Sequence, residues 1–167
     1  MDIALNVQYG RDDQLIFAQQ LGVEQVVMTV DNYGEEVLAK AKNRVEKSAL
    51  KLAGLEGLVL AGDVPGAGVD LDLAELDGTD PVAIINGYGD RLLMVRVGNV
   101  SAGREAFLNE GEIDLPSTLL ALKRVGFVGP VRAGLPPGMV GDTEWGHKGR
   151  AYDLGYLKAV LQAIASL

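Results

Sequence analysis

The sequence predicts an α/β fold built on parallel strands, arranged as an open sheet or as a barrel. Short apolar runs alternate along the chain with longer segments in which apolar residues recur at helical spacing. The run Gln25–Val30 is apolar at its centre without alternating polar positions, which is typical of a strand buried on both faces of a parallel sheet. A length of 167 residues suits one domain, and we expect residues 1–167 to form a single one.

The first part of the chain predicts three strands and two helices. The acidic pair Asp12-Asp13 is expected to cap the first helix and to oppose its dipole. The predicted elements are strand Ile3–Val7, a helix from Asp12 that ends at Gly22, strand Gln25–Val30, helix Glu35–Ala53 stopped by Gly54, and strand Leu58–Ala61.

The second part continues the alternation. Pro81 suits the first turn of a helix, where a missing N–H is harmless. The predicted elements are a short helix from Asp80-Pro81, strand Leu92–Val97, helix Leu115–Val125 ended by Gly126, strand Gly129–Ala133, and helix Asp153–Ala165.

The connection between Ala61 and Val69 interrupts the rhythm. A crossover between parallel strands needs about a dozen residues or more, usually including a helix, and this segment is shorter. Either Val69–Leu73 is not a parallel neighbour of the third strand, or the chain leaves the sheet here. Glycines 62, 66 and 68 suggest a phosphate-binding loop, but GxGxxG and a following Lys-Ser or Lys-Thr are missing. We therefore interpret residues 62–68 as a flexible deletion joint.

The composition and charge of the chain disfavour several classes of function. A net charge of -8 disfavours nucleic-acid binding, and the chain has no apolar run of the length that spans a membrane. The absence of cysteine and of a recognisable signal segment predicts a cytoplasmic protein. Five basic residues have Glu35, Glu36 and Glu46 nearby, so we interpret them as a solvated helix face. They are Lys40, Lys42, Arg44, Lys47 and Lys51.

Several segments carry a resemblance to a known family. The clearest are VRVGNV at Val95–Val100, FLNEGEID at Phe107–Asp114, ALKRVGF at Ala121–Phe127, WGHKGRAY at Trp145–Tyr152 and GYL at Gly155–Leu157, with a less specific match, FAQQLGV, at Phe17–Val23. They resemble the mannonate dehydratase family of metal-dependent, xylose-isomerase-like TIM barrels. The resemblance implies a truncated TIM-like (β/α) barrel with about five to six parallel βα units instead of eight. The missing fourth and fifth units would fall at the joint.

The family binds a divalent metal such as Mn²⁺, but its ligand positions are altered here. The strand-five ligand would lie in the missing stretch, and the strand-six cysteine has no counterpart. The strand-seven histidine falls on Arg96, and the strand-eight Pro-Asp-His falls on Ala133-Gly134-Leu135. An arginine cannot ligate a metal, and glycine has no side chain to do so. We therefore expect no metal ligands and no cofactor.

Two weak catalytic candidates remain, His147 and Arg96. His147 is the only histidine; it suits acid–base chemistry, but inherited loop structure is the favoured interpretation. Arg96 and Arg132 both fall on predicted strands, where they would hold a small anion or form ion pairs with acidic residues; we favour ion pairs. Ser101, Ser117 and Ser166 have no GxSxG setting.

An acidic run follows the joint and contains Asp70, Asp72, Glu75 and Asp77. In an extended segment Asp70 and Asp72 would lie on the same side, where they would attract Ca²⁺ or Mg²⁺ weakly. We favour a solvated loop.

The predicted function is a catalytically inactive, truncated barrel that associates with a second copy. A barrel that has lost strands exposes edges and apolar interior, so a homodimer is expected. One alternative is a residual sugar-acid lyase, similar to mannonate dehydratase, or a sugar-acid-binding protein. Another is a module that binds a different protein through an open sheet edge.

Overall fold

The computed structural model describes residues 1–30, 35–56, 69–76 and 78–167. The chain divides into two compact units, Asp2–Ala67 and Gly68–Leu167, with Met1 grouped with the second. The boundary falls in the segment interpreted from the sequence as a deletion joint, which itself lies outside the described residues. A single domain over residues 1–167 stays a prediction.

The unit Asp2–Ala67 alternates strands and helices. It contains β1 (Asp2–Gln8), α1 (Asp12–Gln20), β2 (Gln25–Thr29), α2 (Glu35–Lys47) and β3 (Lys51–Glu56). Its strands are parallel and lie in the order β3-β2-β1. The centre of β2 is buried, as its continuous apolar run predicts.

The structure confirms one of the two roles predicted for Asp12 and Asp13 at the start of α1. Asp12 and Asp13 lie in the first turn, where their charges oppose the helix dipole. The capping part was wrong, because the N-cap residue is Arg11 and its side chain makes no capping hydrogen bond. Arg11 instead forms an ion pair of 2.8 Å with Asp13. At the other end Gly22 has a φ of +63°, which suits the predicted stop.

The prediction of one long helix over Glu35–Ala53 was wrong. Helix α2 ends at Lys47, Ala49 has a φ of +52°, and the chain continues as β3. Strand β3 pairs in parallel with β2, so the sheet satisfies backbone groups that a continued helix would also satisfy. Sheet pairing has overridden local helix preference here. The third strand predicted at Leu58–Ala61 lies outside the described residues.

The unit Gly68–Leu167 contains a second set of parallel strands and three longer helices. Its elements are β4 (Val69–Asp72), a 3₁₀ turn (Leu73–Glu75), α3 (Pro81–Tyr88), a second 3₁₀ turn (Gly89–Arg91), β5 (Leu92–Val97), β6 (Asn99–Ser101), β7 (Arg104–Ala106), α4 (Leu115–Arg124), β8 (Pro130–Ala133) and α5 (His147–Ala165). The parallel strands lie in the order β8-β5-β4, and β6 and β7 form an antiparallel ribbon.

Most predicted elements of this unit are confirmed. Helix α3 begins at Pro81, and the Asp80 carboxylate accepts a hydrogen bond from the backbone N–H of Val82. Strand β5 has its predicted limits. The β6-β7 ribbon was not predicted because its strands are only three residues long. Its turn residues Ala102 and Gly103 both have positive φ, as a tight hairpin turn requires.

Helix α5 begins at His147, six residues before the predicted Asp153. The Asp142 carboxylate accepts hydrogen bonds from the backbone N–H groups of Lys148 and Gly149, so a residue outside the helix satisfies its first turn. Gly149 is needed because a Cβ there would lie 2.8 Å from Pro136. Capping from a distance left no local signal at the helix start.

The two faces of β5 and β8 differ in character. Val95, Val97 and Val131 are fully buried. Helix α5 packs against both α4 and β8 and contributes the buried side chains of Leu154 and Leu157 to this core. Arg96 and Arg132 alternate with these valines and therefore lie on the other face of the strands. That second face carries the charged residues described next.

Candidate functional site

Four charged side chains form a cluster at the carboxyl ends of β4, β5 and β8. They are Asp70, Asp72, Arg96 and Arg132, and we call them the arginine–aspartate cluster. Asp72 is the register partner of Arg96, and Arg96 is the register partner of Arg132. Partners in parallel strands point to the same face, and Asp70 joins them because it lies two residues before Asp72.

The cluster is held by two ion pairs. Nη2 of Arg96 lies 2.6 Å from Oδ2 of Asp72, and Nη2 of Arg132 lies 3.5 Å from Oδ2 of Asp70. The side chain of Arg132 is 4% exposed, whereas that of Asp70 is 47% exposed. The ion pairs predicted for Arg96 and Arg132 are therefore present. The solvated-loop interpretation was wrong for Asp70 and Asp72, which belong to β4; Glu75 is exposed, and Asp77 lies outside the described residues.

Burial and charge oppose each other at Asp72. Burial raises the pKa of its carboxyl above the ordinary value, and the neighbouring Glu75 acts in the same direction. The guanidinium of Arg96, the backbone N–H of Ala74 and the more distant Arg132 favour the ionised form and offset part of this effect. The ion pair therefore compensates incompletely for taking the carboxylate out of water.

The residues present do not fit a divalent metal. No group of three or more His, Asp or Glu residues in the described part of the chain is placed to hold one. The two family ligand positions with a counterpart here are brought together, since a Cβ on Gly134 would lie 3.8 Å from Nε of Arg96. One of them carries a cation and the other carries no side chain. A metal ion at this point would be repelled by two guanidinium groups, which already pair with the neighbouring carboxylates of Asp72 and Asp70.

His147, one of the two weak catalytic candidates, lies at the first position of α5. Its Nδ1 shares a hydrogen bond with the hydroxyl of Thr143, and its ring meets Trp145 edge to face at 4.8 Å. The guanidinium of Arg150 covers Trp145 at 4.4 Å, and Nε of Arg150 donates to the Trp145 carbonyl over 2.8 Å. These contacts give the WGHKGR segment a structural role in holding the loop before α5.

Asn99 is a key buried residue that the sequence reasoning did not single out. Its side-chain amide donates to the carbonyls of Leu108 and Ile113, and its Oδ1 accepts from the backbone N–H groups of Val100 and Ile113. It thereby fastens residues 107–114 to the end of β5. The available signal was its position in VGNV, one of the segments that carry the family resemblance.

The serine residues have structural roles where the described contacts define them. Ser117 donates from its hydroxyl to Asp114 over 2.6 Å at the start of α4. Because of that hydroxyl and the Ser117 backbone N–H, the pKa of the Asp114 carboxyl is lowered. Ser166 donates to the carbonyl of Ala163 over 2.7 Å, and Ser101 lies in β6.

The basic residues of α2 behave as a solvated helix face. Lys40 pairs with Glu36, Lys42 with Glu46, and the half-buried Arg44 with Asp12, over 2.6–3.9 Å. Such exposed pairs contribute little to stability. Lys51 is the exception to the predicted helix, because it begins β3.

Asp153 on α5 is buried, and it accepts a hydrogen bond from the backbone N–H of Leu108 over 3.0 Å. Burial raises the pKa of its carboxyl from 3.8 to about 6, with a further contribution from Glu110. The native state therefore holds this proton more tightly than the unfolded chain does. As pH rises through this window, the native state loses stability relative to the unfolded chain, and the loss is complete above the folded pKa.

Asp153→Asn is accordingly expected to gain stability relative to the wild type as pH rises from about 4 to 7, by about 2–3 kcal/mol. The amide keeps an acceptor for Leu108 and removes the buried charge. Urea unfolding of both proteins across this pH range measures the difference. Glu110→Gln serves as a control, because it should move the same window to lower pH. A difference that stays constant with pH would contradict the assignment.

Comparison with known proteins rests on structure alone, since no family model and no curated protein matches the chain. The mannonate dehydratase from Streptococcus suis serotype 2 aligns with a TM-score of 0.55 and 13% identity over 96% of this chain and 77% of that one. A xylose isomerase domain protein from Planctomyces limnophilus aligns with a TM-score of 0.52 and 14% identity over 93% of this chain. The fold is therefore similar to that of xylose-isomerase-like TIM barrels.

A third solved structure agrees. A xylose isomerase-like TIM barrel protein from Mycobacterium smegmatis, in complex with magnesium, aligns with a TM-score of 0.50 and 12% identity over 97% of this chain and 73% of that one. This chain spans 66% of the Planctomyces limnophilus protein. The predicted truncated TIM-like α/β fold with about five to six parallel βα units is confirmed, since the described residues contain six parallel strands. No helix among the described residues has the length and apolar character needed to cross a bilayer.

Proposed function

We propose that this chain is a non-catalytic relative of the sugar-acid dehydratase barrels. The observation that carries the proposal is the ion pair of 2.6 Å between Arg96 and Asp72, at a position that corresponds by resemblance to a family metal ligand. Arg132 adds a second, buried cation beside it. This network of charged side chains lies at the carboxyl ends of the strands, the end of the fold at which such barrels carry out their chemistry, and that position supports the proposal.

The chemistry of dehydration supports this proposal. Eliminating water from an aldonic acid in a metal-dependent barrel requires an ion that holds the carboxylate and hydroxyl, together with a proton donor and acceptor. The described donor set of this chain does not fit such an ion. His147, the only histidine of the chain, is engaged with Thr143 and Trp145 in the loop before α5.

The direct test incubates the protein with D-mannonate and Mn²⁺ and measures the 2-keto-3-deoxy product. We expect no turnover above the metal-free control. Turnover that is lost in both Arg96→Met and His147→Ala would instead establish the residual lyase. Binding of D-mannonate without turnover, measured by calorimetry and lost in Arg96→Met, would establish a sugar-acid-binding protein.

We further propose that the chain associates with a second copy. A chain with fewer βα units than a closed barrel keeps strand edges that another chain can pair with. In the unit Gly68–Leu167, Leu93 and Val128 are 62% and 85% exposed. Val128 also lines an apolar groove of about 300 Å³ together with Phe127 and Leu161. Exposed apolar surface of this kind favours association.

Light scattering coupled to size-exclusion chromatography is expected to give a mass of twice 17.7 kDa. Val128→Lys should shift the population toward the monomer, because it places a charge on the apolar surface. Leu135→Lys, on a different loop and also exposed, is the matched control and should leave the mass unchanged. A wild-type mass of 17.7 kDa would contradict the dimer. A stoichiometric partner in a pull-down would then favour the module that binds a different protein.

A further inference from the structure

We infer that Arg96 and Arg132 take the electrostatic place of a divalent cation, so that removing both would turn Asp70 and Asp72 into a cation-binding pair. The inference rests on the proposed loss of the metal site. It assigns a role to two arginines on β5 and β8 that face two carboxylates on β4.

The formal charges of the four side chains support the idea that two arginines stand in for a divalent cation. Two guanidinium groups carry a formal charge of +2 and face two carboxylates with a formal charge of -2. A divalent cation would neutralise the same two carboxylates with the same charge, and Asp oxygens are ligands that Ca²⁺, Mg²⁺ and Mn²⁺ accept. Asp70 and Asp72 lie on the same face of β4, where both can contact one centre.

The hydrogen bonding of Arg96 indicates that its charge matters more than its full donor set. Its Nε is buried and has no hydrogen-bond partner among the described residues, whereas its Nη2 lies 2.6 Å from Asp72. A guanidinium whose role is hydrogen bonding would donate through its Nε–H group as well as through its Nη groups. Here one contact is made to a carboxylate and a buried donor is left over, as expected if compensation of the carboxylates is the role.

The backbone that follows β8 lies directly against the side chain of Arg96. The residue after β8 is Gly134, whose N–H donates to the carbonyl of Val97 over 2.8 Å. A Cβ on Gly134 would lie in ordinary contact with that carbonyl and with Nε of Arg96, at 3.5 and 3.8 Å. The arginine side chain therefore fills the room next to this backbone, and its removal would leave that room to a cation and its waters.

The experiment uses the full chain with Arg96→Met and Arg132→Met combined, titrated with MnCl₂. The unfolding temperature is expected to fall relative to the wild type and to rise again with Mn²⁺, by about 5 °C at a hundredfold excess over the dissociation constant. Calorimetry should show one Mn²⁺ bound. The wild type should show no rise beyond that produced by NaCl of the same ionic strength.

The matched control adds Asp70→Asn and Asp72→Asn to the double variant. In the absence of Mn²⁺ we expect this quadruple variant to be more stable than the double variant. Its unfolding temperature should not change when Mn²⁺ is added. A folded double variant that does not respond to Mn²⁺ would overturn the inference, as would an equal response of the quadruple variant. If the double variant does not fold, Arg96→Gln combined with Arg132→Gln also removes both charges and supplies the same comparison. The proposed function fails on a different result, turnover of D-mannonate by the wild type.

Discussion

Replacing Asn99 by leucine is expected to lower the free energy of unfolding by about 3–5 kcal/mol, because the change keeps the branched shape and removes four hydrogen bonds. The partners are the carbonyls of Leu108 and Ile113 and the backbone N–H groups of Val100 and Ile113. Asn99 is 4% exposed, so water has little access to replace the missing partner. Urea unfolding measures the loss, and hydrogen exchange at Ile113 and Val100 should accelerate more than exchange in α5.

Asn109→Leu is the matched control, since Asn109 is exposed in the loop that Asn99 holds. Its effect should stay within about 0.5 kcal/mol. Gly111→Ala provides an independent route, because a Cβ there would lie 2.7 Å from the Asn99 Cβ and still closer to its amide group. The loss of unfolding free energy caused by Gly111→Ala should be smaller in an Asn99→Ala background, because that amide is absent there. Equal costs for the two asparagine variants would contradict the role assigned to Asn99.

Replacing Arg96 by glutamate is expected to lower the free energy of unfolding by about 3–5 kcal/mol at pH 7. The change removes the partner of Asp72 and places a third carboxylate beside Asp72 and Asp70, with only Arg132 left as a cation. Repulsion between these carboxylates raises their folded pKa values above those of the unfolded chain. The variant should therefore gain stability relative to the wild type as pH falls from 7 toward 4.

Thermal unfolding between pH 4 and pH 7 tests this prediction. Arg104→Glu, on the exposed ribbon strand β7, is the control for the same change of net charge and should have a small effect without this pH dependence. A second change, Asp72→Lys in the Arg96→Glu background, should recover part of the stability by reversing the pair. Without recovery, or with a matching loss in Arg104→Glu, the ion pair would not be the source of the effect.

The segments that carry the family resemblance have structural roles in this chain. VGNV and FLNEGEID are joined through Asn99 and Gly111, and WGHKGR is joined through Trp145 and Arg150. Arg96 lies at the position that by resemblance would hold a metal ligand on strand seven, and it carries a cation paired with Asp72. Packing and chemistry are separable in this fold, because the parts of the sequence that hold the loops are not the parts that would hold a metal.

The accuracy of the sequence predictions varied with the range of the interactions involved. Strand β5 and the start of α3 at Pro81 follow from local patterns, and the structure reproduces them. The end of α2 and the start of α5 were missed, since the first depends on pairing of β3 with β2 and the second on the carboxylate of Asp142, six and seven residues before the N–H groups it caps. Contacts of this kind leave no signal within a window of a few residues.

The sequence by itself determined the alternation of strands and helices, the absence of cysteine, and an arginine and a glycine where the family resemblance places metal ligands. It also indicated that Arg96 and Arg132 form ion pairs. Only the tertiary structure decided with which residues, because the register of β4, β5 and β8 brings Asp72 beside Arg96 and lets Arg132 reach Asp70. Register depends on pairing between residues far apart in the chain, and that pairing cannot be read from any one segment.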